Sequence, residues 1–316
     1  MADPRSPLAP LLHQVEQALD LLDGFRSPAL AALPAEPLPS LAEQCSRLAA
    51  RPEAGPPPLR MIHHMACTGG TLISKALAVL PNVVLLSEID PLSTLRGNPG
   101  SKAPFAPSDL ILAMRHAPRP VPEDVLVATF RAGTLAAHGV LAEKGMRMVI
   151  RDHSHSHFCT GVDPAARASL REMLAGELPL LSAVTVRHPL ESFLSLGNNR
   201  WTHFSPFTLE EYSQRYSAFL DRHAGLDILR YEEFVLAPEA TLRRLCDILA
   251  LPFHPAALDL LSAARLTGDS GRSSPVVGPR PQKAVPEEML PDCRGAAYVG
   301  LCGRLGYDPL PDGAAA

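Results

Sequence analysis

The sequence is poor in aromatic residues and has no C-x-x-C pair, no long apolar run and no strong charge of either sign. Aromatic residues make up 5% of it, with a single Trp. The six Cys, at 45, 67, 159, 246, 293 and 302, are scattered without redox or metal-ligand spacing, so free thiols in a reducing compartment are expected. Nothing near the N-terminus has the basic-then-apolar pattern of a signal peptide. No window reaches about 18 consecutive apolar residues, so no membrane span is expected and the cytoplasm is the expected location. A net charge of −4 argues against broad affinity for nucleic acid. Any bound anion must therefore meet a local cluster of Arg and His.

What is there is enough for one large α/β domain with appendages: 316 residues, 46% hydrophobic and 20% charged. The 33 Pro and 21 Gly imply many loops, and Ala/Pro/Leu-rich tracts flank both ends. In residues 7 to 23 an apolar stripe (Leu8, Leu11, Leu12, Val15, Leu19, Leu22) reads as a helix, and Ser40 to Glu43 opens a second as a capping box. A Pro-rich linker from Arg51 to Pro58 ends this segment. Residues 1–58 thus read as a helical extension whose plain role is packing on the core, and whose alternative is docking a partner or a second copy as a homodimer.

The centre of the chain is Leu59 to Glu88. It reads as a strand (Arg60 to Ala66), a turn of small residues (Cys67, Thr68, Gly69, Gly70, Thr71), a helix (Leu72 to Leu80) and a strand (Val83 to Leu86). Small residues between a strand and a helix let backbone N–H groups reach an anion at the positive end of the helix. The turn lacks the Lys of a nucleotide-triphosphatase loop, because no Lys separates Gly70 from Thr71. Taken alone, such a turn is also what an ordinary tight strand-to-helix connection looks like.

Further on, a Pro/Gly-broken stretch to about Pro122 is a candidate lid, and Pro122 and Gly145 bracket a helix from Glu123 to Lys144. Met146 to Ile150 reads as a buried strand delivering Arg151-Asp-His-Ser-His-Ser-His157. Leu180 to Val186 is another, delivering Arg187-His-Pro189. Helix Leu209 to Arg222, strand Asp227 to Arg230, helix Pro238 to Leu249 and a last helix from about Glu287 to Arg304 follow. Strands alternating with helices imply a mainly parallel sheet flanked by helices.

Two of these segments resemble one family. Arg187-His-Pro189-Leu-Glu-Ser192-Phe-Leu-Ser195 resembles the R-x-P-x-x-S-x-x-S segment of sulfotransferases, and Ala66 to Ile73 is similar to their phosphosulfate loop. Tyr231 to Pro252 matches the family's strand-to-helix signature, and Gly268 to Ser274 resembles the C-terminal loop that closes over the cofactor. The resemblance covers roughly residues 60 to 306. It implies a P-loop NTPase-like sulfotransferase fold over 59–306, with 307–316 as a flexible tail.

The resemblance also implies a donor, 3′-phosphoadenosine 5′-phosphosulfate (PAPS), whose product is adenosine 3′,5′-bisphosphate. Cys67, Thr68, Gly69, Gly70, Thr71 and Leu72 would hold its phosphosulfate. Arg187, Ser192 and Ser195 would hold its 3′-phosphate, with Arg272, Arg280 and Lys283 as further donors. One departure stands out: Cys67 occupies the place of the loop's usual cation. Arg151 is the candidate replacement, with His63 and His64 behind it.

Sulfuryl transfer to a hydroxyl or amine is an in-line displacement that needs no metal, and the acceptor must lose a proton. Glu88 lies where some members place a catalytic Glu, and Arg151-Asp-His153 resembles the Lys-Thr-His arrangement of others, so one of the two is the expected base. As bland readings, Glu88 caps a helix or pairs with an Arg, Trp201 and Phe204 pack in the core and do not stack a base, and His188 is a spacer. The apolar lid leans towards a small-molecule acceptor. Three alternatives remain at this stage: a kinase-like phosphate-binding enzyme, a catalytically silent module of the same fold, and a zinc site on an extended His153, His155 and His157 with Cys159 and Asp163.

Overall fold

The computed structural model describes residues 17, 55–95, 106, 108–267, 277–279 and 285–310. The N-terminal helices, the middle of the lid, and Arg272, Arg280 and Lys283 lie outside the described residues. What is described from Pro56 onward forms one unit built on five strands: β1 (Leu59–His64), β2 (Val83–Ile89), β3 (Arg147–Asp152), β4 (Leu180–Val186) and β5 (Asp227–Arg230). They order as β2-β3-β1-β4-β5, and every pairing is parallel. The protein has an α/β fold, a parallel sheet flanked by helices.

Every residue of β1 is buried, as a central strand covered on both faces requires. Its alternation divides the core in two. Ile62, with Val149 and Ala183 of the neighbouring strands, packs under α1 (Gly70–Ala78), and Leu59 and Met61 pack with Met148 and Ile150 on the other face. Arg60 is tolerated in this strand because its Nε and Nη2 donate to the carbonyls of Leu249 and Ala250 at 2.6 and 3.2 Å.

The helices that follow are α2 (Leu110–Arg115), α3 (Glu123–Glu143), α4 (Ser154–Phe158), α5 (Leu170–Leu174), α6 (Pro189–Asn198), α7 (Leu209–Arg222), α8 (Tyr231–Leu236), α9 (Pro238–Ile248) and α10 (Ala296–Leu305). Leu242 and Leu245 of α9 join the core under α1, while α6, α7 and α10 share a separate core cluster through Leu196, Phe219 and Leu301. By length and composition alone α3 could cross a membrane, with a mean hydropathy of 1.4 over its most apolar stretch. It packs instead on the second face of the sheet, where Phe130 and Leu141 meet Met148 and Ile150.

Three expectations are corrected. The segment from His153 to His157 is not extended. Past the ladder bond from His153 N to the Ile89 carbonyl, Ser154 Oγ bonds Asp152 and Ser156 Oγ bonds the His153 carbonyl at 2.8 Å, and these local bonds turn the chain into α4. The last helix begins only at Ala296, because Pro291 and Gly295 confine the preceding residues to two short 3₁₀ turns. Residues 307–310 are tied down, Tyr307 donating to Glu232 at 2.7 Å and Tyr298 to the Pro309 carbonyl at 2.8 Å.

Candidate active site

The chain runs from β3 to β4, on opposite sides of β1, so a crevice forms beyond the carboxyl ends of these strands, where α/β sheets bind ligands. The loop after β1 lies there. Cys67 has φ 63 and Gly69 φ 83, so left-handed residues bracket Thr68, a backbone form also used by anion-binding nests. Thr68 is fully buried and its Oγ1 donates to the Met65 carbonyl at 2.7 Å. The amides of Gly69 and Gly70 have no backbone acceptor among the described residues, and α1 starts at Gly70, two residues before the sequence pattern suggests.

Both glycines are required by contact. A Cβ on Gly69 would fall 2.1 Å from the Tyr231 ring, and one on Gly70 would fall 2.2 Å from the His64 ring. Tyr231 also lies under Arg187, whose guanidinium carbon is 4.9 Å from the ring centroid. Arg187 Nη1 is 3.4 Å from the Cys67 carbonyl and Nη2 pairs with Glu191 at 2.9 Å. The loop after β1 and the Arg187 segment therefore face each other.

Arg151, at the end of β3, is buried directly behind the loop. Its Nη2 donates to Thr71 Oγ1 at 2.9 Å, Nη1 to Ser87 Oγ at 3.1 Å and to the Thr267 carbonyl at 3.0 Å, and Nε to His64 Nε2 at 3.1 Å. A guanidinium can only donate, so His64 must present an unprotonated Nε2. Burial first, and the Arg151 charge second, hold its pKa well below the usual histidine value, in agreement with that tautomer.

Glu88 approaches Arg151 Nη2 to 3.5 Å. It has φ 58 where the register of β2 on β3 shifts between Leu86 and Ile89, and a bulge of this kind re-aims a side chain. His153 follows β3 and precedes α4. Burial pushes its pKa down, Glu88, Asp90 and Asp152 pull it back up, and Arg151 lowers it further. Glu88 and His153 thus share one electrostatic environment beside the loop.

Other residues fall elsewhere. Ser192, one turn into α6, is fully buried. Ser195 Oγ donates to the Glu191 carbonyl at 2.8 Å and is only part-buried. Leu72 packs against the core beneath α1. His188 points to the Asp308 carbonyl at 2.9 Å, and Phe204 is in the core. The alternating histidines disperse, because α4 sends His155 to His203 at 2.8 Å and His157 to the Pro164 carbonyl at 3.1 Å.

Sequence reading missed the supports of the site. Asp90 takes a two-pronged bond from Arg167, at 3.2 and 2.8 Å, and also the Ser156 hydroxyl. Arg215 holds the end of α4 through the Phe158 and Thr160 carbonyls at 3.0 and 2.7 Å. These contacts join residues far apart in sequence, so no local spacing announces them.

No protein-family model and no curated protein matches the chain. Its structure is similar to those of sulfotransferase domains. One is the sulfotransferase domain from the curacin biosynthetic pathway, at 17% identity and a TM-score of 0.47, over 80% of this chain and 99% of that one. A second is the sulfotransferase domain from the Synechococcus PCC 7002 olefin synthase, at 18% identity and 0.49, over 80% and 96%. A third is a sulfotransferase from Alicyclobacillus acidocaldarius, at 14% and 0.36, over 65% and 90%.

Proposed function

We propose that the protein is a sulfotransferase that uses 3′-phosphoadenosine 5′-phosphosulfate and modifies a hydroxyl or amine of a small-molecule acceptor. The observation that carries this reading is Arg187 Nη1 at 3.4 Å from the Cys67 carbonyl. It sets the Arg-x-Pro segment against the small-residue loop, close enough for one nucleotide with phosphates at both ends to bridge them. The amides of Gly69 and Gly70, which have no backbone acceptor among the described residues, fit an anion, as does the N-terminus of α1.

When bound, that donor supplies the sulfuryl group and leaves as the bisphosphate. Gly69, Gly70 and Thr71 would hold its 5′ end, and Arg187 and Ser195 its 3′-phosphate. Arg151 acts through Thr71, keeping the loop in shape and adding positive charge behind it, where Cys67 brings none. Glu88 or His153 takes the acceptor proton, and the other orients it. A silent binding module is the second reading, favoured by Cys67 and by the commitment of Arg151 to protein acceptors.

Calorimetry with adenosine 3′,5′-bisphosphate against ADP tests the donor assignment. Preference for the bisphosphate by about tenfold or more is expected, since the 3′-phosphate adds charge-assisted bonds to Arg187. Equal affinities would overturn it. Transfer of labelled sulfate to a panel of phenols, alcohols and amines separates the enzyme from the silent module.

A further inference from the structure

The strand alternation that sends His64 and Arg151 towards the phosphate loop sends His63 and Asp152 to the opposite face of the sheet. There they meet His223, which follows the last turn of α7. One ligand atom from each of His63, Asp152 and His223 lies within 4.8 Å of the other two, and all three residues are buried. We propose that these residues form a binding site for a divalent first-row transition ion, with zinc as the ion to test.

The geometry supports this in three ways. His63 Nδ1 and Asp152 Oδ2 stand 2.9 Å apart, close to the ~3.3 Å that separates neighbouring ligand atoms of tetrahedral zinc with bonds of ~2.0–2.1 Å. His223 donates Nδ1 to the Phe219 carbonyl at 2.8 Å, which fixes its tautomer and makes Nε2 the lone pair. That nitrogen is buried without a hydrogen-bond partner among the described residues. A backbone carbonyl on the far ring nitrogen is the support that metal-bound imidazoles have, and Ser154 Oγ, 2.9 Å from Asp152 Oδ2, orients the carboxylate in the same manner.

Two imidazoles and one carboxylate suit zinc and its neighbours and not magnesium or calcium, which take oxygen ligands. On binding, His63 exchanges tautomer, its single proton passing from Nδ1 to Nε2 so that the ring stays neutral, and the ion takes the place of that proton between His63 and Asp152, with the remaining position open to water. The ion would tie the end of α7 to β1 and β3. The site lies across the sheet from the phosphate loop, so the proposal stands whether or not the donor assignment does.

Metal analysis of the chelator-treated and zinc-reloaded full chain, after dialysis, tests it. One zinc per chain is expected, with visible absorption of the intensity of a tetrahedral site when cobalt(II) replaces it. His223→Gln and Asp152→Asn should each weaken zinc binding by roughly 100-fold or more, while His138→Gln, in α3, should not. Well under one equivalent in the wild-type chain would overturn the proposal, and that result needs no variant to fold. Undiminished binding in a folded His223→Gln chain, or a cobalt spectrum like that of the aqua ion, would do the same.

Discussion

Arg151 Nη2 lies 2.9 Å from Thr71 Oγ1, so the end of β3 is bolted to the first turn of α1. The same guanidinium reaches His64, Ser87 and Thr267. A compact ammonium on a flexible stem cannot make this fork of contacts. Arg151→Lys should therefore lower unfolding stability by about 2–4 kcal/mol, the scale for breaking a buried charged network. Chemical denaturation checks this, and bisphosphate affinity should fall with it. An unchanged midpoint would mean that the loop does not depend on its brace.

On the proposed reading Arg187 binds the donor, and its loss should show in ligand affinity. Its side chain is 17% exposed, and its guanidinium meets the Cys67 carbonyl at 3.4 Å, a carboxylate one helical turn away and the Tyr231 ring. Arg187→Ala should weaken bisphosphate binding by about 1.5–3 kcal/mol, the worth of a charge-assisted contact to phosphate. Titration calorimetry reads this directly. An unaltered dissociation constant would remove Arg187 from the donor site.

How far the sequence discloses all this depends on how local each signal is. The order of strands and helices follows from apolar runs and Pro/Gly punctuation, and the bounds of β4, β5 and α7 are those the pattern predicts. The turn from Cys67 to Thr71 and the strand-ending Arg187 are legible because each is a short contiguous pattern. Tyr231, which touches both Gly69 and Arg187, is not legible in that role, since only the parallel pairing of β5 with β4 brings it there. The bulge at Glu88 and the meeting of His63 with His223 depend on tertiary packing in the same way. The His153 to His157 run misleads for the opposite reason: its serines satisfy the backbone locally and curl what would otherwise continue as a strand.

Glu88 and His153 can be separated kinetically. Glu88 is 3.5 Å from Arg151, and burial lowers the pKa of His153, which favours the neutral, proton-accepting ring. Glu88→Gln or His153→Ala should lower turnover by ~10²-fold or more with bisphosphate affinity intact, as loss of a general base does. Whichever substitution gives the larger fall at unchanged affinity identifies the base. Wild-type turnover in both single variants would eliminate the pair.

His155 makes stability depend on pH. Burial first, then His153 on its own segment and His203 from the loop after α6, depress its pKa from 6.5 to about 3. A histidine depressed in the folded state binds its proton more readily when unfolded. Its contribution is therefore complete above about pH 6.5 and is lost as the pH falls from there towards 3. Between pH 7.5 and 5.5 this one residue should cost about 1.4 kcal/mol of unfolding free energy. Urea denaturation at the two pH values, in the wild type and in His155→Gln, measures it. The variant should show a smaller fall by about that amount, because glutamine keeps a hydrogen bond to His203 but does not titrate. If both proteins lose the same stability on acidification, His155 takes up its proton as readily in the folded chain as in the unfolded one, and its burial against His153 and His203 does not depress its pKa.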